Sequence, residues 1–192
     1  MLCSDDPYGC WLPAFAVVHE KWTEREFPET VEYDVAYYVI PNQSAAHEPG
    51  FKTTRSDVLE EVGEAFPVDF DWRHGEGTFL HSLGYSLDKD PAFRYCADDM
   101  STLVGAADYE NLWLSACGLT SGASGGPWLR DLDEHGTGSI VSVNSWGFVD
   151  TPGMGGVNFA TSEGGTAECL FDVAERTSFA SMQSHGIIAR EC

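Results

Sequence analysis

Residues 117–127 read Cys-Gly-Leu-Thr-Ser-Gly-Ala-Ser-Gly-Gly-Pro. No other stretch restricts the fold as strongly. Gly122, Gly125 and Gly126 surround Ser124, and Pro127 closes the run. Glycine admits positive φ and carries no side chain. The segment therefore reads as a tight loop whose bare N–H groups can converge beside the serine hydroxyl. Acyl transfer needs that combination, a hydroxyl nucleophile next to backbone donors. Taken without its context, the same run could be a Gly/Ser turn with no chemistry.

The flanking sequence reads as strands separated by turn residues. Residues 11–20 contain a strand, and 33–40 form a clearer one, aromatic and β-branched and closed by Pro41. Residues 41–56 are polar and loop-like, and 57–63 suit one or two helical turns ending at Gly63. The stretch 66–77 resembles a link between two lobes. Strand signals then recur at 78–86, 92–97, 111–117, 126–130 and 138–147, and Gly-rich segments punctuate 152–156 and 163–165. Residues 166–178 carry helical spacing of Leu170, Phe171, Val173 and Ala174. The class is all-β, with a short C-terminal helix. The expected division is residues 1–75 and 76–192.

Charge and cysteines bound the function. The chain has 192 residues and a formal net charge of −21. Such a surface repels nucleic acid and anionic membranes, so neither is expected as a partner. No apolar stretch approaches the roughly 20 residues that span a bilayer. The six cysteines lack Cys-x-x-Cys or zinc spacing. An even count without metal spacing points to disulfides and an oxidising, extracellular setting, though buried free thiols remain the alternative. Asp131, Asp133 and Glu134 lack the spaced ligand set of a calcium loop and read as a solvated turn. No metal and no cofactor are expected. Residues 1–6 lack the basic and apolar regions of a signal peptide. The expectation is either that a signal has been removed or that the sequence starts inside a domain, and the latter is favoured.

Ser-Gly-Ala-Ser-Gly-Gly-Pro-Trp, preceded by Cys117 and followed by Val-Asn-Ser-Trp-Gly, resembles the trypsin-like serine proteases of the double β-barrel fold. It looks most like their microbial, glutamyl-endopeptidase-like branch. Tyr33-Asp34-Val35-Ala36 resembles the family's aspartate strand, and Gly84-Tyr85 its strand opening the second barrel. The resemblance implies Ser124 as nucleophile and Asp34 as the carboxylate orienting an imidazole. It implies an oxyanion hole made by the N–H groups of Gly122 and Ser124, and a hydrogen bond from Ser145 to Asp34. Ser145, Trp146 and Gly147 would form the edge that pairs with substrate backbone, and Gly118 would lie in the specificity pocket. It also implies a peptide or protein substrate, and we expect a monomer. Cys96–Cys117 fits the family's disulfide bracketing the specificity loop, and Cys169–Cys192 and Cys3–Cys10 are assigned to the remaining four cysteines without a motif.

The histidine is missing from this pattern. The triad needs a general base between Ser124 and Asp34, and in the family it precedes the aspartate within Thr-Ala-x-His-Cys. Only His19 precedes Asp34 here, in Val-Val-His-Glu-Lys-Trp, and it resembles a non-catalytic residue ending a strand. His135 and His185 match no motif. The sequence therefore reads as starting after the catalytic histidine, with the first barrel incomplete. Two further departures narrow the specificity. Ala123 cannot make the activating ion pair that an aspartate makes in animal trypsins. Gly118 stands where trypsins carry their specificity aspartate, and Asn144 where the glutamyl enzymes carry histidine, so neither basic nor Glu selectivity is supported.

The leading expectation is a serine endopeptidase domain lacking its histidine segment and, as written, inactive. The alternative from another class is a pseudoprotease that binds peptides or partners without cutting them. A third reading takes Gly122-Ala123-Ser124-Gly125-Gly126 as the Gly-x-Ser-x-Gly elbow of an α/β-hydrolase. That elbow needs a helix directly after the serine, and Gly125-Gly126-Pro127 is poor helix material.

Overall fold

In the larger of two sheets, the outermost strands are neighbours in sequence. The sheet has seven antiparallel strands in the order β4-β3-β7-β8-β9-β6-β5. They are β3 (Phe79–Tyr85), β4 (Phe93–Asp99), β5 (Ser101–Val104), β6 (Glu110–Leu114), β7 (Pro127–Arg130), β8 (Ser139–Trp146) and β9 (Met154–Gly156). Only Met100 separates β4 from β5, so the two margins of the sheet meet at that corner. Met100 is 1% exposed, its N–H donates to the Thr78 carbonyl, and its own carbonyl accepts from Gly77. The sheet thus curls around its own side chains, with Leu80, Leu112, Leu114, Trp128 and Val141 buried inside. On β3 the period of two is explicit. Leu80, Ser82 and Gly84 are buried, while Phe79 and Tyr85 on the opposite face are exposed.

The computed structural model of the chain describes residues 3–5, 7–41, 65–73, 75, 77–87, 93–104, 110–148, 150–160, 165–177 and 186–192. The helix expected over 57–63 lies outside these.

The smaller sheet has the order β10-β1-β2. Strand β1 (Phe15–His19) pairs antiparallel with β2 (Ala36–Val39) and parallel with β10 (Gly186–Ala189). Helix α1 (Glu20–Glu24) follows β1 directly, and His19 caps it, Nδ1 accepting the Lys21 N–H at 3.0 Å. Helix α2 (Thr166–Arg176) buries Ala167, Leu170 and Ala174 against Phe15, Val17 and Val35. Burying Leu170 alone is worth about 2 kcal/mol. Grouped with residues 76–192 in the sequence reading, α2 packs on β1 and β2. Three disulfides are formed, Cys3–Cys10, Cys96–Cys117 and Cys169–Cys192. The last ties α2 to the residues just after β10.

Several elements differ from the sequence reading. The strand expected over 33–40 begins only at Ala36, because Val31–Tyr33 forms a 3₁₀ turn first. Residues 111–117 leave the ladder after Leu114. Strands β5, β9 and β10 and helix α1 were not anticipated. Residues 66–77 do more than connect, since the backbone around Val68 bridges Ile140 in β8 and Asp69 holds Arg130 at 2.8 Å.

Candidate active site

The loop between β6 and β7 holds Ser124 in a distinctive backbone. Gly122 has φ +97° and Gly125 φ +78°, both in the left-handed region where glycine is favoured. A side chain at Gly122 would also press on Leu87 and the Tyr85 carbonyl. The N–H of Ala123 donates to Thr120, that of Gly125 to Asn144, and that of Gly126 to Ala123. The N–H groups of Gly122 and Ser124 meet no acceptor among the described residues. Ser124 itself is exposed. Two free donors alternating with satisfied ones, next to an accessible hydroxyl, can hold an oxyanion.

Ser124 opens on a cavity of about 680 Å³ that Ser145, Trp146, Gly147 and Gly118 also line. Next to Gly118, the position a side chain would take has no atom within 4 Å. Trp146 packs tilted against Trp113 and edge-on against Phe148, with ring centroids 5.1 and 5.4 Å away, and this aromatic cluster backs one wall. Asp150, exposed, is the only ionisable side chain among the described lining residues.

Asp34 sits between the 3₁₀ turn and β2, its N–H donating to Val31 at 3.2 Å. The register of β8 against β9 slips between Asn144 and Trp146, and such irregularities re-aim a side chain. Ser145, at that slip, donates its Oγ hydrogen to the Asp34 carboxylate at 2.6 Å. Burial raises the Asp34 pKa above its usual value, and the Ser145 bond works in the opposite direction. Asp34 is thus drawn to a residue that shares the cavity with Ser124.

The described histidines lie elsewhere. His19 is 3% exposed and stacks on Tyr33 at 4.5 Å. Its Nδ1 accepts from Lys21 and it also bonds the Cys192 backbone, so both ring nitrogens are committed. Burial holds its pKa below the usual value. His81 meets Phe79 edge-on, and His135 is exposed beside Glu134. No histidine among the described residues lines the cavity. His47, His74 and His185 lie outside the described residues.

No protein-family model matches the sequence, and no curated protein does. Solved structures do match. A thermostable serine protease, AL20, from an extremophilic microorganism superimposes with a TM-score of 0.67 at 20% identity, over 90% of this chain and 71% of that one. Protease Anisep from Arthrobacter nicotinovorans gives 0.68 at 20% identity, over 92% and 72%. The fold is that of the trypsin-like serine proteases.

Two residues near the site carried no signal in the sequence reading. Asp98 accepts the Ala116 N–H at 2.9 Å and the Ser115 hydroxyl at 3.2 Å, bonds that lower its pKa and hold the turn leading into Cys117. Asn144 is the other, a buried polar side chain inside a strand. In sequence it reads only as a departure from the glutamyl pattern.

Proposed function

We propose that this chain carries the nucleophile, oxyanion donors and carboxylate of a serine endopeptidase that cleaves peptide bonds through an acyl-enzyme. The observation that carries the reading is the pair of free N–H groups at Gly122 and Ser124, set beside the Ser124 hydroxyl on a cavity shared with Ser145. Substrate backbone lies along Ser145, Trp146 and Gly147, and the side chain before the scissile bond enters the cavity past Gly118. Ser124 Oγ attacks the carbonyl carbon and loses its proton to a histidine. The carbonyl oxygen, now negative, accepts from Gly122 and Ser124. Asp34, held by Ser145, orients the imidazole and stabilises its charged form. The same proton then passes to the leaving amine, and water releases the acyl group.

The base in this proposal is a histidine that the described residues do not supply, and the family resemblance gives it a Thr-Ala-x-His-Cys context. We place the chain in the microbial branch of these proteases. The disulfides support an extracellular setting, and the net charge of −21 supports a monomer without nucleic-acid or membrane partners.

Fluorophosphonate labelling tests the proposal, because the probe reports an activated serine. The 192-residue chain should label poorly, a longer version bearing the histidine segment should label strongly, and Ser124→Ala should abolish the signal. Strong labelling of the chain alone would place the base within this sequence, and replacing His47, His74 and His185 singly would find it. No labelling of either version, with peptide binding retained, would favour a binding module that does not cut.

A further inference from the structure

We propose that Asn144 is the positioning residue that presets the Ser124 N–H as an oxyanion donor; the use made of that donor rests on the protease reading above. Asn144 lies near the end of β8 and is 2% exposed. Its Oδ1 accepts from Ser82 Oγ at 2.6 Å and from Trp128 Nε1 at 2.7 Å. Its Nδ2 donates to the Leu83 and Ala123 carbonyls, both at 2.9 Å. An indole N–H can only donate and a carbonyl can only accept, so chemistry fixes which way the amide faces.

The backbone of Asn144 grips the same loop. Its N–H donates to the Gly126 carbonyl and its carbonyl accepts from Gly125, both at 2.8 Å. The inward-facing bonds of residues 123, 125 and 126 therefore converge on one residue. The Ala123 carbonyl is the critical one. It accepts from Asn144 Nδ2 and from the Gly126 N–H at 3.1 Å. In a planar trans peptide the C=O and the following N–H point in opposite directions. Anchoring the Ala123 carbonyl inward thus turns the Ser124 N–H outward, where it meets no acceptor among the described residues. Ala123 cannot do this with its own side chain. It has only a buried methyl, which packs against Gly84 so closely that an added Cβ there would lie 2.8 Å from it.

The test compares Asn144→Asp with Ser82→Ala, by crystallography in the 192-residue chain and by kinetics in the version bearing the histidine segment. Asn144→Asp keeps the shape and the acceptors for Ser82 and Trp128 but sets a carboxylate oxygen against two carbonyls. Ser82→Ala removes a bond of the same buried network on the side away from the loop. Crystal structures should show the Ala123–Ser124 peptide rotated in Asn144→Asp and unchanged in Ser82→Ala. With a peptide ester substrate, kcat should fall about 10²-fold in Asn144→Asp, as for loss of one oxyanion donor, with KM within about twofold. Ser82→Ala should lower the melting temperature and leave both constants unchanged. If Asn144→Asp does not fold, Asn144→Ala, which simply deletes the donor, carries the same expectations. An unrotated peptide in the Asn144 variant, or an equal kcat loss in Ser82→Ala, overturns the assignment. A histidine-bearing version without turnover counts against the protease reading, and the peptide orientation then decides the role of Asn144 alone.

Discussion

Ser145 Oγ donates to the Asp34 carboxylate at 2.6 Å across 111 residues of sequence. The bond joins the two sheets at the cavity. It also sets the electrostatics of the acid, because burial disfavours the carboxylate while the hydroxyl donor favours it.

Ser145→Ala should therefore push the Asp34 pKa higher still. Burial outweighs the Ser145 bond, so the carboxyl already titrates above its usual 3.8. A raised folded-state pKa means a stability contribution present below 3.8 and lost as pH rises through the folded value. In Ser145→Ala that loss should extend to higher pH. Asp34→Asn removes the titration and should gain stability relative to the parent across the same window. Carbon-detected NMR titration of the Asp34 carboxyl checks the first point and urea midpoints against pH the second. An unchanged titration in Ser145→Ala would mean that the hydroxyl does not support the ionised form.

What the sequence revealed follows from where the information is local. The Ser124 loop was legible because glycine and proline dictate backbone directly, and β3, β7 and β8 because their turn-bounded strand signals stand out. The strand β9 was read as glycine punctuation. Its glycines are required by packing, since a side chain at Gly155 would overlap the Trp146 indole and one at Gly156 would meet Trp128 and Ser142. That constraint comes from residues distant in sequence. Strand β10 exists through parallel pairing with β1, and a four-residue Gly-Ile-Ile-Ala run cannot announce a partner so remote. The pairing Cys96–Cys117 came with the family pattern. Asn144 escaped because a polar residue in a strand reads as surface, whereas its neighbours enclose it.

Acid should loosen the smaller sheet through His19. Burial is the main cause of its lowered pKa, and Lys21 and Arg25 add to it. Protonation also removes the Nδ1 lone pair that accepts the Lys21 N–H. A depressed folded-state value means a contribution present above 6.5 and lost as pH falls through the folded pKa. His19→Asn keeps a good cap and cannot titrate. The native chain should lose stability between neutral pH and about pH 5, and the variant should lack that component. Urea midpoints at the two pH values decide, and equal slopes would refute the role of His19.

Removing the Cys169–Cys192 bridge should release β10. The cysteines are 23 residues apart, and closing a loop of that size stabilises by about 3 kcal/mol in the chain-entropy account. Among the described residues β10 pairs only with β1. The Cys169→Ser/Cys192→Ser double variant should shift the urea midpoint accordingly, and the amides of Ile187 and Ile188 should exchange faster. Protection equal to the native chain would show that the ladder alone holds the strand.

The same substitution at two glycines of one loop should have opposite effects on stability. At Gly126 an added methyl would overlap the Leu83 carbonyl oxygen and crowd Asn144 Nδ2. Backbone on both sides must then move, so Gly126→Ala should cost about 3 kcal/mol or more. It should also disturb the bonds that hold Ser124. At Gly118 the methyl meets nothing within 4 Å, and φ lies outside the left-handed region. Gly118→Ala should be neutral or stabilise by up to about 1 kcal/mol, through a less disordered unfolded state. Gly118 lines the cavity, so the functional cost should appear there instead. In the version bearing the histidine segment, activity on peptides with a bulky side chain before the scissile bond should fall, while activity on small ones persists. Gly118→Asp should move preference toward lysine and arginine at that position, because a carboxylate would then line a cavity whose only ionisable wall among the described residues is Asp150. Melting temperatures of the two alanine variants and a substrate panel for Gly118 check these points. A Gly118→Ala chain that cleaves large and small substrates in native proportion would remove Gly118 from the specificity pocket.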